Sequence, residues 1–138
     1  MITYDDFKKV EIRAGKILTA EKIPNTDKLL RLTVDFAEKK EVVAEKVIGD
    51  PTTEIAAGSE PAPKTFMPIV RQIVSGISSY FPDPAVLIGK TCMFVTNLEP
   101  RMIKGFESNG MLFALSDEAG NFSILEPNSS IKPGTLAK

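Results

Sequence analysis

Two stretches near the start of the chain, Val10 to Ile17 and Leu30 to Phe36, alternate apolar and polar residues, and a glycine interrupts the first of them. Val10, Ile12 and Ala14 fall on one side and Glu11 and Arg13 on the other; after Gly15 the pattern resumes at Ile17 with its phase changed. A period of two places alternate side chains on opposite faces of a strand and cannot line one face of a helix. Glycine inside a strand with a phase flip predicts a bulge or sharp bend, the device by which small barrels turn their corners. The loop Ile23-Pro24-Asn25-Thr26-Asp27-Lys28 follows. Then Leu30, Leu32, Val34 and Phe36 alternate with Arg31, Thr33 and Asp35. An antiparallel hairpin with one wet face is expected.

Thr3 and the acids Asp5 and Asp6 suit one helical turn before that hairpin. From Ala37 to Pro68 the rhythm breaks. Val43/Val47 and Ala44/Ile48 stand at helical spacing over Glu38 to Ile48, with Gly49 and Pro51 as a stop, while an extended hairpin fits the same residues; both readings stay open. Thr52 to Pro68, with Pro61, Pro63 and Pro68, reads as an irregular loop. Residues 38–68 are therefore taken as an insertion lying outside the main sheet, since prolines cannot join a central ladder. Strand character returns from Ile69 to Ile77. Asp83 as cap, Pro84 at the first position and Gly89 at the exit predict a short helix over Pro84 to Ile88. Thr91 to Leu98 and Met111 to Leu115 are apolar on consecutive residues, as in strands covered on both faces. Phe122 to Leu125 closes the set, and the tail from Glu126 is polar. Five strands with one short helix before the fourth predict an all-β OB-fold: a five-stranded Greek-key barrel with a short helix and an inserted segment, one domain over residues 1–138.

The candidate site is the segment from Asn97 to Met111, mounted between two apolar runs. It carries a proline, the cations Arg101 and Lys104, Gly105, Gly110 and the turn chemistry of Ser108-Asn109-Gly110. A rigid, donor-rich loop held by core strands suits an anionic ligand; an ordinary connection with a turn at its end fits the same residues.

Several function classes are disfavoured. Histidine is absent, and no glycine loop precedes a lysine and a helix to cradle phosphate. Cys92, the only cysteine, lies in an apolar strand and reads as a buried small hydrophobe; it has no second thiol for a disulfide or a metal. No cofactor and no catalytic residue are expected. No apolar stretch is long enough to cross a bilayer, and the start lacks a signal peptide, so a cytoplasmic protein without a membrane partner is expected. The formal charge is −1, which argues against a generally basic nucleic-acid binder. Part of that acidity belongs to the insertion: Ala37 to Pro68 holds four basic and six acidic residues, leaving thirteen basic against twelve acidic elsewhere.

Taken together, Phe7 to Ile17, Asp27 to Asp35, Arg71 to Ile77, Asn97-Leu98-Glu99-Pro100-Arg101 and Gly105 to Met111 resemble one family: the tRNA-binding domain appended to bacterial methionyl-tRNA synthetases. The same domain is found as free-standing tRNA-binding proteins and in a secretion-related chaperone. The resemblance covers nearly the whole chain apart from about thirty residues after Phe36. It implies an OB-fold that binds tRNA without catalysis, usually as a homodimer, either free-standing or as the beta subunit beside a methionyl-tRNA synthetase catalytic chain. Three departures stand out. A long acidic insertion replaces the family's tight connection after the second strand, Asn109 stands where glutamine is frequent, and Met102-Ile103 follow Arg101 where another basic residue is common.

Such a module binds folded RNA by backbone and shape, with cations on phosphates and neutral groups on hydroxyls. The candidate RNA-binding cations are Arg13, Lys28, Arg31, Arg71, Arg101 and Lys104; Asn97, Ser108 and the Gly110 backbone are candidate hydrogen-bonding groups, and Met111 a candidate base contact. Each has a structural alternative: a solvated charge for the cations, a loop anchor for Asn97, core packing for Met111. Phe106 is either a stacking platform or a loop staple. A peptide-binding secretion chaperone on the same scaffold is the alternative function, in which apolar surface would replace cations.

Overall fold

Strand β1 (Ile12–Lys22) pairs antiparallel with β2 (Leu30–Val42), and β2 pairs antiparallel with β3 (Thr65–Ser75). The computed structural model describes residues 1–42 and 65–138. Leu30, Leu32, Val34 and Phe36 are fully buried, while Arg31, Thr33 and Asp35 on the other face are half-exposed, as their alternation predicts.

β1 serves two partners because it bends. Residues Ile12 to Lys16 pair with β4 (Thr91–Val95), and Lys16 to Lys22 pair with β2. The register slips between Ile17 and Thr19, so the bulge falls at Leu18 and not at Gly15. Gly15 answers a different need. A Cβ there would lie 2.5 Å from Phe36 Cε1 and 2.6 Å from Val34 Cγ1, so two core side chains fill the space a side chain would take. A close approach and a bulge leave the same mark in the sequence.

A second bulge lies in β2, where the register shifts between Asp35 and Glu38. Ala37 takes φ +58, and its N–H donates to Asp35 Oδ1 at 2.8 Å. Beyond the bulge β2 continues to Val42 opposite Thr65, so Glu38 to Val42 follow the extended-hairpin reading and not the helical one. Residues 43–64 of that segment, with Val43, Val47, Pro61 and Pro63, lie outside the described residues. Glu38–Val42 and Thr65–Pro68 correct the sequence reading: they extend β2 and β3 within the main sheet, with Pro68 opposite Lys39, and do not lie outside it in an irregular loop. The place of the proline is physically sound because β3 is an edge strand.

The main sheet has the order β3-β2-β1-β4-β7, with β7 the short strand Met111–Leu112. It curls around Ile17, Leu30, Leu32, Val34, Phe36, Ile73, Leu87, Cys92 and Phe94, with Phe36 and Phe94 edge to face at 5.2 Å. Burying each large apolar side chain stabilises the fold by about 1.5–3 kcal/mol. The result is an all-β, OB-like half-barrel.

The expected short helix is present as 3-10 turns, Ser78–Tyr80 and Pro84–Leu87. Asp83 Oδ1 accepts from Ala85 N at 3.1 Å at the start of the second turn, and Gly89 lies just past its end. Phe113 breaks the apolar run after Gly110 into β7 and β8 (Ala114–Ser116), and β8 pairs with β9 (Phe122–Ile124). At the start, α1 (Tyr4–Phe7) is one turn closed by a Thr3–Asp6 capping box. The tail returns to β1: Gly134 N donates to Ala14 O, Ala14 N to Thr135 O and Ala137 N to Ile12 O, at 2.7–2.9 Å. It takes the edge of β1 that β2 leaves at its bulge.

Candidate nucleic-acid interface

The segment expected as a loop after Asn97 is a hairpin. β5 (Arg101–Ile103) and β6 (Phe106–Ser108) pair through a two-residue turn in which Lys104 has φ +50 and Gly105 φ +86. Positive φ at both central positions gives the mirror-image turn whose twist matches that of paired strands. The two-residue Lys-Gly connector is the sequence signal that could have revealed it.

A ring of bonds fixes this hairpin to β3. Ser108 Oγ accepts from Val74 N at 3.0 Å and donates to Gly110 O at 3.2 Å. Asn109 N donates to Gln72 O at 2.8 Å, and Gln72 Nε2 donates to Glu107 O at 3.0 Å. Arg71 secures both feet of the segment at once, because its Nη1 donates to the carbonyls of Thr96 and Asn109. Its Nε and Nη2 are held by Glu38 at 2.6 and 3.0 Å, and its guanidinium lies 5.4 Å from the Phe36 ring centroid. These bonds close the gap between β3 and β7 that no ladder spans.

The predicted site residues therefore divide. Arg71 and Ser108 have their polar groups committed within the fold, and Ser108 is buried. Asn97 is an anchor of a different segment from its own: Oδ1 accepts from Glu11 N at 2.8 Å and Nδ2 donates to Lys9 O. Arg13 Nε sits 2.8 Å from Glu11 Oε1, out of line for a hydrogen bond. Arg31 pairs with Glu21 at 2.6 Å and covers the Phe106 ring at 5.3 Å, making Phe106 a platform for a cation within the chain. Gly110 packs against Ile73 and the Val95 carbonyl, too closely for a Cβ to fit at ease. Met111 is half-exposed and pairs with Val95.

Lys28, Arg101 and Lys104 come together. They line an open groove of about 580 Å³ between the loop Asn25 to Leu29 and the tip of the β5–β6 hairpin. Thr26 N and Oγ1 both donate to Ile23 O and Ser78 N donates to Lys28 O, which fix the first wall. Among the described residues none of the three cations carries an ion pair, in contrast to Arg13, Arg31 and Arg71. Sequence reasoning missed Asn25, Asp27 and Leu29, which line the groove, and Glu38, which holds Arg71.

Elsewhere, burial pushes the Cys92 thiol up to about 12, with the Glu126 carboxylate adding to the rise, so it is protonated and unreactive near neutral pH. Among the described residues there is no cluster of His, Cys, Asp and Glu able to hold a metal, and no helix long and apolar enough to cross a membrane.

Residues 67–136 match the model of a family described as a putative tRNA binding domain. The methionine–tRNA ligase of Methanoregula boonei is 41% identical over 135 residues, which is 98% of this chain and 15% of that protein. The chain thus spans about 15% of the length of the curated relatives it matches. A crystal structure of a methionyl-tRNA-synthetase-related protein from Pyrococcus horikoshii is 30% identical, with a TM-score of 0.71 and coverage of 100% of this chain and 98% of that one. The chaperone CsaA from Bacillus anthracis, 23% identical with a TM-score of 0.67 and coverage of 100% and 99%, shares the fold. With half of its length matched by the family model and a full-length structural relative at this identity, the chain belongs to the tRNA-binding domain family.

Proposed function

We propose that the chain is a cytoplasmic, non-catalytic tRNA-binding module that grips folded tRNA in the groove between the Asn25–Leu29 loop and the β5–β6 hairpin. The observation that carries this reading is the convergence of Lys28, Arg101 and Lys104 without carboxylate partners among the described residues. A nearly neutral protein can still attract RNA where a few cations share one opening, because local potential and not net charge steers the ligand. Arg71, Ser108, Asn97 and Gly110 act behind the groove by fixing the segment that presents Arg101 and Lys104. Arg31, seated on the Phe106 ring opposite Ile103, flanks the contact, whereas Arg13 and Met111 stand beside Phe94 and Val95, toward the start of β1.

The likeness to methionine–tRNA ligases favours a role in supplying tRNA affinity to a methionyl-tRNA synthetase catalytic chain, as a beta-subunit-like partner or from a free-standing module. A homodimer is supported by the groove lined by the apolar side chains of Tyr4, Phe7, Val10 and Leu136, all exposed in the single chain.

The test is the salt dependence of tRNA binding. Affinity is expected to fall steeply with salt, by roughly 0.7–0.9 logarithmic units per phosphate contact for each tenfold rise. Arg101→Ala and Lys104→Ala should each flatten that slope by about one unit and weaken all tRNAs alike. Salt-indifferent binding, together with capture of unfolded polypeptide, would move the chaperone reading to first place.

A further inference from the structure

The groove holds more than cations. Lys28 stands on one wall and Arg101 and Lys104 on the other, but Leu29, Met102 and Ile103 add apolar surface and Asp27 adds a carboxylate. Among the described residues no hydrogen bond or ion pair engages the Asp27 side chain, and the residue is exposed. A cradle for phosphates alone has no use for either feature: apolar side chains offer phosphate nothing, and a carboxylate repels it. Both features suit a nucleoside. A base face covers apolar side chains, and a carboxylate accepts from base N–H groups or a ribose hydroxyl. In a duplex the base faces are stacked and the pairing edges occupied, which leaves the apolar lining without a partner and Asp27 with ribose hydroxyls alone.

We propose that this groove seats one unpaired ribonucleotide, its base against Leu29, Met102 and Ile103, its phosphates on Lys28, Arg101 and Lys104, and its N–H or hydroxyl donors on Asp27. The proposal rests on the RNA-binding reading and narrows it, from a helical backbone to a nucleotide turned out of the stack.

The experiment is displacement of a labelled tRNA transcript from the full chain at one salt concentration. The competitors are short unstructured single-stranded RNAs of differing base composition, their 2′-deoxy counterparts and an RNA duplex of equal phosphate content. The single-stranded RNAs are expected to displace tRNA at about tenfold lower concentration than the duplex, as burial of roughly 50–60 Å² of apolar surface under one base face would give. Met102→Ala should weaken the single-stranded competitors while leaving the salt slope unchanged. Asp27→Ala should abolish the preference for RNA over its deoxy counterpart or level the preference among bases, while the duplex competes as well as before or better.

A duplex that competes as well as the single strand overturns the proposal, and so does displacement by neither. An Asp27→Ala variant that binds every competitor more tightly by the same factor overturns the role of the carboxylate. Failure of the RNA-binding reading looks different, because the labelled tRNA would then not bind at all.

Discussion

Arg71 commits its guanidinium to four protein oxygens: two on Glu38 and the carbonyls of Thr96 and Asn109. Both charged partners are about three-quarters buried, so losing either leaves the other poorly solvated. A cation held in this way is proposed to aim the neighbouring hairpin in place of meeting phosphate itself. Arg71→Ala should therefore weaken tRNA binding and leave the salt slope intact, the reverse of the signature expected for Arg101→Ala. Glu38→Gln separates the two roles. A positioning pair predicts weaker binding and a double variant no worse than either single one, whereas a phosphate ligand restrained by Glu38 would bind more tightly once released. A binding cycle over the four proteins, read at two salt concentrations, decides this. From the sequence Arg71 could be recognised only as a cation near the right strand. Its partner is 33 positions away across a bulge that no periodicity announces.

At the scale of elements, what was legible is what repeats. Alternation over Leu30 to Phe36 gave the buried face of β2, and the Asp83-Pro84 cap with Gly89 located the 3-10 turn, because caps and periods are local. The β5–β6 hairpin is not legible from periodicity, since strands of three residues are too short to display one, and only its Lys-Gly turn marks it. Gly15 signalled a disturbance but not its kind: the bulge lies at Leu18, and the glycine yields space to Val34 and Phe36. Gly15→Ala should accordingly lower stability by about 1–3 kcal/mol through overpacking, visible as a lower denaturant midpoint at unchanged slope. Ser108→Ala leaves the Val74 N–H without its acceptor and should cost a further, independent 1–3 kcal/mol or so. Binding by the folded fraction of Gly15→Ala should match the parent, since the groove is built from other residues.

At the scale of the molecule, the N-terminal turn and the tail meet on one side of the sheet. Tyr4, Phe7, Val10 and Leu136 line a groove of about 230 Å³ there. A second copy would cover these side chains through a two-fold interface, where the same patch serves both partners. Sedimentation at micromolar concentration should show a dimer, and Phe7→Asp with Leu136→Asp should convert it to a folded monomer. A parent that sediments as a monomer at that concentration would remove the dimer. The same side of the molecule carries a kinetic burden. Lys9 and Glu11 are bound to Asn97, 88 and 86 positions away, and Ile12 and Ala14 are bound to residues 134–137. Contacts of such long sequence separation form late, because most of the chain's loop-closure entropy must be lost first. On a ribosome, the outer edge of the first strand stays open until residues 134–137 have been made.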